Sequence, residues 1–433
     1  MASPLEDTLP KQLERRRRAV AEAWNLSDEL VVIGAGSRIP VPGRADLTYP
    51  FRVHSEYLYL TDRERPGGVL AFDPAQGWVD FVAPVTREER LWEGAPPGEL
   101  EGVAVGELEA WLAARKGRRT AGLGAPVEGV ESDRAFERLA RSALSAVRRV
   151  KDDLELARMR AAEHATSAGF AKAAQLIEPG RSEREVQIEL EAEFFRNGAD
   201  FLAFDTIVGG GANSAVLHFP PSARAFGDGE LVLIDAGAEV RGYASDITRT
   251  YPVSGRFTSE QAELYAIVLQ ANGRATERCV SGAEWRDVHG TAMLAIAEGL
   301  AEFGLLRGQP ESLVESGAVT VFFPHSIGHM VGLGIRDAGE TPPGREVPPP
   351  GYPRLRFDLP LQPGFTVTIE PGIYFVPALL ADPDLRERHR AAIDWDRAEQ
   401  MLEFGGIRIE DDVLVTEDGY EILTQDVPVI GEP

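Results

Sequence analysis

Leu231-Val232-Leu233-Ile234-Asp235-Ala236-Gly237 runs into Val240-Arg241-Gly242 and returns as Ser245-Asp246-Ile247-Thr248-Arg249-Thr250. Two β-prone runs separated by a glycine-bearing turn read as a hairpin. A hairpin centred between Val240 and Arg241 sets Asp235 directly opposite Asp246, with Cβ atoms roughly 5 Å apart. Two carboxylates that close repel unless one is protonated or a cation lies between them. The apolar flank Val232, Leu233 and Ile234 makes an uncompensated pair costlier still. A metal ion is the simplest resolution.

Working outward, further donors follow at intervals. Pro324-His325-Ser326-Ile327-Gly328-His329 carries two histidines four apart. Thr368-Ile369-Glu370-Pro371-Gly372 ends a strand in a carboxylate and then breaks the backbone. Gly406-Ile407-Arg408-Ile409-Glu410-Asp411 puts Arg408 and Glu410 on one strand face by the period of two. Taken singly, each of these residues also reads as a cap, a turn anchor or a core residue. Together, four carboxylates and a histidine suit two divalent cations such as Mn²⁺, Co²⁺ or Zn²⁺. Two such ions about 3.5–4 Å apart activate a shared water near neutral pH.

The rest of the chain places these groups in the second of two domains, 1–149 and 150–433. The first alternates strand candidates (Leu30–Gly34, Tyr57–Leu60, Val69–Phe72, Trp78–Val82) with helical stretches near Leu9–Asn25, Glu107–Arg115 and Asp133–Arg148. This is an α/β domain without a catalytic triad, metal cluster or phosphate loop; Gly34-Ala35-Gly36 is a turn. The second domain is α+β. A helical stretch covers Lys151–Ile177, and Ser182 with Glu185 and Thr258 with Gln261 form capping boxes for two more helices. The segment Pro342–Pro353 reads as a surface loop.

The 433 residues include 45 basic and 69 acidic side chains, a formal net charge of −24. Such a balance argues against nucleic-acid binding. The run Arg15–Arg18 reads as a solvated helix face or a subunit contact. One cysteine, Cys279, excludes a disulfide framework and a Cys-rich zinc module. With no apolar leader after Met1 and no long apolar run, the expectation is a cytoplasmic protein with no membrane association.

The blocks LIDAGAEVRGYASDITRTY (233–251), FFPHSIGHMVGLGIRD (322–337), LQPGFTVTIEPGIYF (361–375) and FGGIRIEDDVLVTEDG (404–419) resemble the pita-bread-fold metallopeptidases, which include methionine aminopeptidase, aminopeptidase P and prolidase. The resemblance extends from about Arg149 to the end. YPFRVHSEYLYLT (49–61) resembles the non-catalytic first domain of aminopeptidase P and prolidase. By this resemblance Asp235, Asp246, His329, Glu370 and Glu410 are ligands of two divalent ions, Mn²⁺ first among them, with Asp246 and Glu410 bridging. Glu370 is implied as general base and acid, His325 as a group stabilising the tetrahedral intermediate, and His218 as a residue lining the substrate pocket. Arg356 matches the prolidase arginine that grips the substrate carboxylate, and Arg408 belongs with the substrate-binding set or orients the last ligand. The segment VPALLADPDLRERHRAAIDWD (376–396) is of the prolidase kind.

One departure stands out. Ile335-Arg336-Asp337 replaces the family's usual Val-His-Asp, so Arg336 stands where a histidine meets the substrate. Arg356 and the long insert make an Xaa-Pro dipeptidase acting on proline-containing dipeptides the leading expectation, and Arg336 implies an altered specificity or rate. The alternative is an aminopeptidase P acting on longer peptides; organophosphorus hydrolysis is a possible side activity. A metal-free or non-enzymatic relative is disfavoured because all five ligand positions are filled. A homodimer is implied, with His54 or Arg52 as candidates to reach a neighbouring site.

Overall fold

A computed structural model describes residues 8–44, 47–94 and 101–427. The chain divides between Arg148 and Arg149 into two compact units. In the first, strands β1 (Leu30–Gly34), β2 (Val69–Asp73), β3 (Gly77–Val82), β4 (Val103–Ala104) and β5 (Thr120–Gly124) form one sheet in the order β4-β3-β2-β1-β5. β1 runs parallel to β5 and antiparallel to β2. Its five residues are all buried, as the unbroken apolar run requires.

Two expectations for this unit are corrected. Tyr57–Leu60 is not a strand but part of the helix Ser55–Thr61, buried from Glu56 to Thr61. An apolar run hidden on all sides has no amphipathic period, so its caps decide its conformation. Here the His54 ring accepts the Glu56 N–H, and Asp62 closes the helix in the left-handed conformation at φ 52°. Nor are the four arginines all solvated. Arg16 is buried and donates to the Tyr59 carbonyl, while Arg17 makes two hydrogen bonds to Asp80 at 2.7 and 2.8 Å.

The second unit contains β6 (Phe201–Leu202), β7 (Ile207–Gly210), β8 (Leu231–Ala236), β9 (Ala238–Val240), β10 (Tyr243–Ala244), β11 (Ile247–Pro252), β12 (Thr366–Ile369), β13 (Gly372–Tyr374), β14 (Gly406–Arg408), β15 (Asp411–Val415) and β16 (Tyr420–Ile422). They pair as β10-β9-β6, β11-β8-β7, β12-β15-β16 and β13-β14. Single bridges, Thr248 to Glu410 and Met330 to Val367, join these pieces. Both expected capping boxes are present, opening the helices Glu183–Arg196 and Ser259–Glu277.

Those helices bury the backs of the strands. Phe170, Val186, Leu190 and Phe194 pack with Val232, Ile234 and Ile247. Leu264, Val268, Ala271 and the helix Trp285–Glu302 pack with Val367, Ile369, Ile409 and Val413. Apolar side chains thus take the helix-facing side of each strand, and the acidic residues are left to converge on the other. Residues 342–353 form no helix or strand. Among the described residues, no helix is long and apolar enough to cross a membrane.

Candidate metal centre

The β8–β11 pair supplies the first row of donors. Asp235 faces Thr248, not Asp246, so the register differs by two residues from the sequence expectation. The reason is the turn. Arg241 and Gly242 both have positive φ, 52° and 83°, which centres a two-residue turn between them, one position later than expected. A slip of two preserves the alternation of faces, so Asp246 and Thr248 still share the face of Asp235. Gly237 lies at the crossing, where a Cβ would come within 1.8 Å of the Ser245 carbonyl oxygen.

On its other side Thr248 bridges to Glu410, and its hydroxyl donates to Glu410 Oε2 at 2.6 Å. Asp235, Thr248 and Glu410 therefore form one row across three strands. His329 and Glu370 arrive from the neighbouring piece. Thr368 N–H donates to the His329 carbonyl, and Glu370 N–H donates to the Ile327 carbonyl. His329 Nε2 comes within 3.3 Å of Asp246 Oδ2 and 4.0 Å of Glu370 Oε1. Donor atoms of Asp246, His329 and Glu410, all buried, lie within 4.8 Å of one another.

Electrostatics tests whether a cation fits. Burial, then the charges of Asp235, Asp412 and Glu370, drives the Asp246 carboxyl well above its ordinary pKa. Burial with Asp246, Glu370 and Asp235 does the same to Glu410. Asp235 Oδ1 is buried without a hydrogen-bond partner. The His329 Nδ1 lies 3.1 Å from the Met330 carbonyl, an arrangement that puts the proton on Nδ1 and leaves the Nε2 lone pair toward the acids. Crowded acids, an orphaned carboxylate oxygen and an aimed imidazole form a donor set that divalent ions satisfy.

Of the two roles the sequence left to Arg408, its contacts fit the orienting one. It is buried, and its nitrogens are committed to protein groups: Asp235 Oδ2 at 2.6 Å, Thr248 Oγ1 at 3.0 Å and the Tyr374 hydroxyl at 2.9 Å. Its place is behind the acids, fixing them. His325 lies 3.6 Å from Glu370 through Nδ1, which also contacts the Ser326 carbonyl at 2.9 Å. Its Nε2 meets the Tyr374 hydroxyl at 2.9 Å. Burial, with Arg408 adding to it, lowers its pKa to about 3, so the ring is neutral at working pH.

His218, Arg336 and Arg356 are exposed and ring the acids. Partial burial lowers the pKa of His218; Asp235 opposes this, and Arg408, Arg336 and Arg356 reinforce it. His54, by contrast, is used within its own unit as a helix cap.

Sequence reasoning missed Thr248, Tyr374, Asp412 and Glu163. Thr248 and Asp412 were signalled by the period of two from Asp246 and Glu410. Asp412 accepts the Asp246 backbone N–H at 2.9 Å, and Glu163 accepts from Ser245 at 2.8 Å. Tyr374 had a subtler signal in its glycines: a Cβ at Gly372 would lie 2.4 Å from its hydroxyl.

Residues 157–417 match Metallopeptidase family M24, and residues 13–111 match the aminopeptidase P N-terminal domain. The chain belongs to metallopeptidase family M24: it is an enzyme with the pita-bread catalytic fold behind an α/β N-terminal domain. Its relatives are Xaa-Pro aminopeptidases. It is 32% identical to the Xaa-Pro aminopeptidase of Haemophilus influenzae over 97% of this chain and 95% of that one. The solved aminopeptidase P of Escherichia coli with the inhibitor Pro-Leu is 28% identical, with a TM-score of 0.79 over 97% of this chain and 95% of that one. Aminopeptidase PepP of Pseudomonas aeruginosa gives 29% and 0.77 over 97% and 95%. These similarities favour the aminopeptidase reading over the dipeptidase that the sequence put first.

Proposed function

We propose that this chain is an Xaa-Pro aminopeptidase, which removes the N-terminal residue from short peptides whose second residue is proline. The observation that carries the reading is the buried cluster of Asp246, His329 and Glu410, with Glu370 reaching His329 and an orphaned Asp235 Oδ1. Near full-length similarity to Xaa-Pro aminopeptidases supports the substrate class. Two divalent ions held there, Mn²⁺ in this reading, would activate a shared water and polarise the scissile carbonyl.

The chain's own groups do the rest. Burial raises the pKa of Glu370 despite the opposing His329 and Arg408, which makes its carboxylate a better proton acceptor than an exposed one. It is placed to take a proton from the attacking water and hand it to the leaving proline nitrogen. Neutral His325 carries its one proton on Nδ1, where it donates to the Ser326 carbonyl and holds the ring edge beside Glu370. Arg408 and Thr248 keep Asp235 and Glu410 aimed. His218 lines the open side. A homodimer belongs to the same reading and is checked by light scattering.

Protein loaded with Mn²⁺ should release Xaa from Xaa-Pro-Yaa tripeptides, leave Xaa-Ala-Yaa intact and stop when the metal is chelated. Cleavage of Xaa-Pro dipeptides alone would return the dipeptidase. Turnover that persists after complete chelation would remove the metal from the mechanism.

A further inference from the structure

Behind the loop that carries His325 and His329 lies a third histidine with no role so far. His289 belongs to the helix Trp285–Glu302, whose inner face is otherwise apolar, with Trp285, Val288, Ala292 and Met293 all buried. Its ring is fully buried between Phe323 and Tyr352, with ring centroids 5.6 and 5.0 Å away. The next residue, Gly290, leaves room for the Tyr352 hydroxyl, which would lie 2.1 Å from a Cβ there. Burial, with His325 adding to it, lowers the pKa of His289 to about 3, so the ring is neutral. A neutral imidazole in an apolar core needs a reason, because its polar atoms have left water.

The reason lies in one peptide unit. The Ile327 N–H donates to His289 Nδ1 at 3.1 Å. A backbone N–H can only donate, so Nδ1 presents its lone pair and the His289 proton sits on Nε2. That Nε2 is buried without a hydrogen-bond partner. The ring thus forgoes one hydrogen bond at Nε2 while serving as an acceptor at Nδ1. On the opposite edge of the same peptide, the Ser326 carbonyl lies 2.9 Å from His325 Nδ1. A carbonyl can only accept, so the His325 proton sits on Nδ1. Its Nε2 then accepts from the Tyr374 hydroxyl at 2.9 Å, and Tyr374 accepts from Arg408 at 2.9 Å.

The donors therefore run one way, from Arg408 through Tyr374, His325 and the Ser326–Ile327 peptide to His289. Both ends fix the direction, since neither a guanidinium nor a backbone N–H can accept. A planar trans peptide points its N–H and its C=O to opposite sides, so whatever holds one aims the other. Turning the plane over would bring an N–H toward His325 Nδ1 and drive its proton to Nε2. His289, with its lone pair toward the peptide, opposes that turn. The next carbonyl is used as well: Ile327 accepts the Glu370 N–H at 2.7 Å.

We infer that His289 is a positioning residue: by accepting from Ile327 it fixes the Ser326–Ile327 peptide, which keeps the His325 proton on Nδ1 and the His325 ring beside Glu370. It acts through the backbone. Its bearing on turnover rests on the Xaa-Pro aminopeptidase reading above, whereas its hold on the His325 tautomer does not.

The test is the ¹⁵N spectrum of histidine-labelled, Zn²⁺-loaded full-length protein, with single substitutions assigning the signals of the seven histidines. Wild type should show His325 as the Nδ1–H tautomer and His289 as the Nε2–H tautomer. His289→Leu removes the acceptor, and His325 should shift toward Nε2–H or an average of the two forms. His289→Asn places a carbonyl oxygen where Nδ1 stood and should retain Nδ1–H on His325. His289→Gln carries that oxygen one bond further and should behave as His289→Leu. With Mn²⁺ and Xaa-Pro-Yaa peptides, His289→Leu should lower kcat roughly tenfold or more, the scale of a misplaced reacting group, with KM and bound metal nearly constant. His289→Asn should restore most of that loss.

An Nε2–H tautomer of His325, or an Nδ1–H tautomer of His289, overturns the inference in wild type alone, even if no variant folds. So does an unchanged His325 signal in His289→Leu, or an equal loss of kcat in His289→Leu and His289→Asn. The two readings fail separately. The expected tautomers without cleavage of Xaa-Pro peptides keep the positioning role and remove the aminopeptidase. Cleavage of those peptides with either tautomer reversed does the opposite.

Discussion

Arg408 donates to Asp235 Oδ2 at 2.6 Å, a buried contact between β14 and β8 that leaves Asp235 Oδ1 with no protein partner. One carboxylate oxygen is tied down and the other is free for a cation. The same guanidinium reaches Thr248 and Tyr374, so one side chain holds the acids on one side and, through Tyr374, His325 on the other. Support of this kind aims ligands that strand geometry alone would leave loose.

Arg408→Lys keeps the charge but cannot serve three partners in fixed directions. Metal affinity should fall by about 10–100-fold, as for lost ligand-orienting groups. Titration with Mn²⁺ followed by calorimetry reads this directly. Unchanged affinity would show that Asp235 is aimed by its strand alone.

Tyr374→Phe removes the hydroxyl that links Arg408 to His325. His325 then loses the partner of its Nε2, and only the Ser326 carbonyl is left to orient the ring beside Glu370. The expected result is a fall in kcat of roughly tenfold or more with KM and bound metal nearly constant, consistent with loss of a group that acts only in the transition state. A rise in KM alone would place Tyr374 in ground-state binding.

Without metal, the acids set the pH response of stability. Burial raises Glu163 to about 7, against the pull of Asp412 and Ser245, and Asp246, Glu410 and Asp412 are raised as well. A carboxyl with a raised folded pKa binds more protons folded than unfolded between its two pKa values. Stability therefore falls as pH rises from about 4.5 through about 7. Chelated protein should melt lower at pH 8 than at pH 5, and Mn²⁺ should reverse much of the loss. Glu163→Gln, which cannot ionise, should raise the melting temperature of chelated protein at pH 8 and flatten this slope. A wild-type profile that rises with pH would refute the assignment.

Lys151→Met leaves the Asp337 carboxylate fully buried without its cation. Breaking such a pair costs about 3–5 kcal/mol, whereas replacing both members with apolar residues is often tolerated. Urea unfolding should show a large loss for Lys151→Met and a partial recovery on adding Asp337→Leu.

Much of the centre was legible in the sequence because its information is local. A carboxylate at the end of an apolar run, alternation at a period of two and a histidine four residues from another mark positions without reference to distant partners. Asp235, Asp246, His329, Glu370 and Glu410 stood out as candidates in that way, with the family resemblance choosing among the histidines, and the helices capped by Ser182 and Thr258 were read from local signals too. Tyr57–Leu60 was misjudged because a wholly buried run carries no period, and only its His54 and Asp62 caps separate helix from strand.

What the sequence by itself determined was which residue types lie on which strand face, because side-chain alternation follows from covalent geometry. Register, partners and solvation were decided only by the tertiary structure. Two positive-φ residues at Arg241 and Gly242 set Asp235 against Thr248. Packing of distant strands brought Arg408 onto Asp235 and Tyr374 onto His325. Segment 336–340 was brought against segment 356–358, where the Asp358 N–H meets the Glu340 carbonyl. Charges many residues apart interact only once the chain has folded, since their energy depends on separation in space and on the water excluded between them.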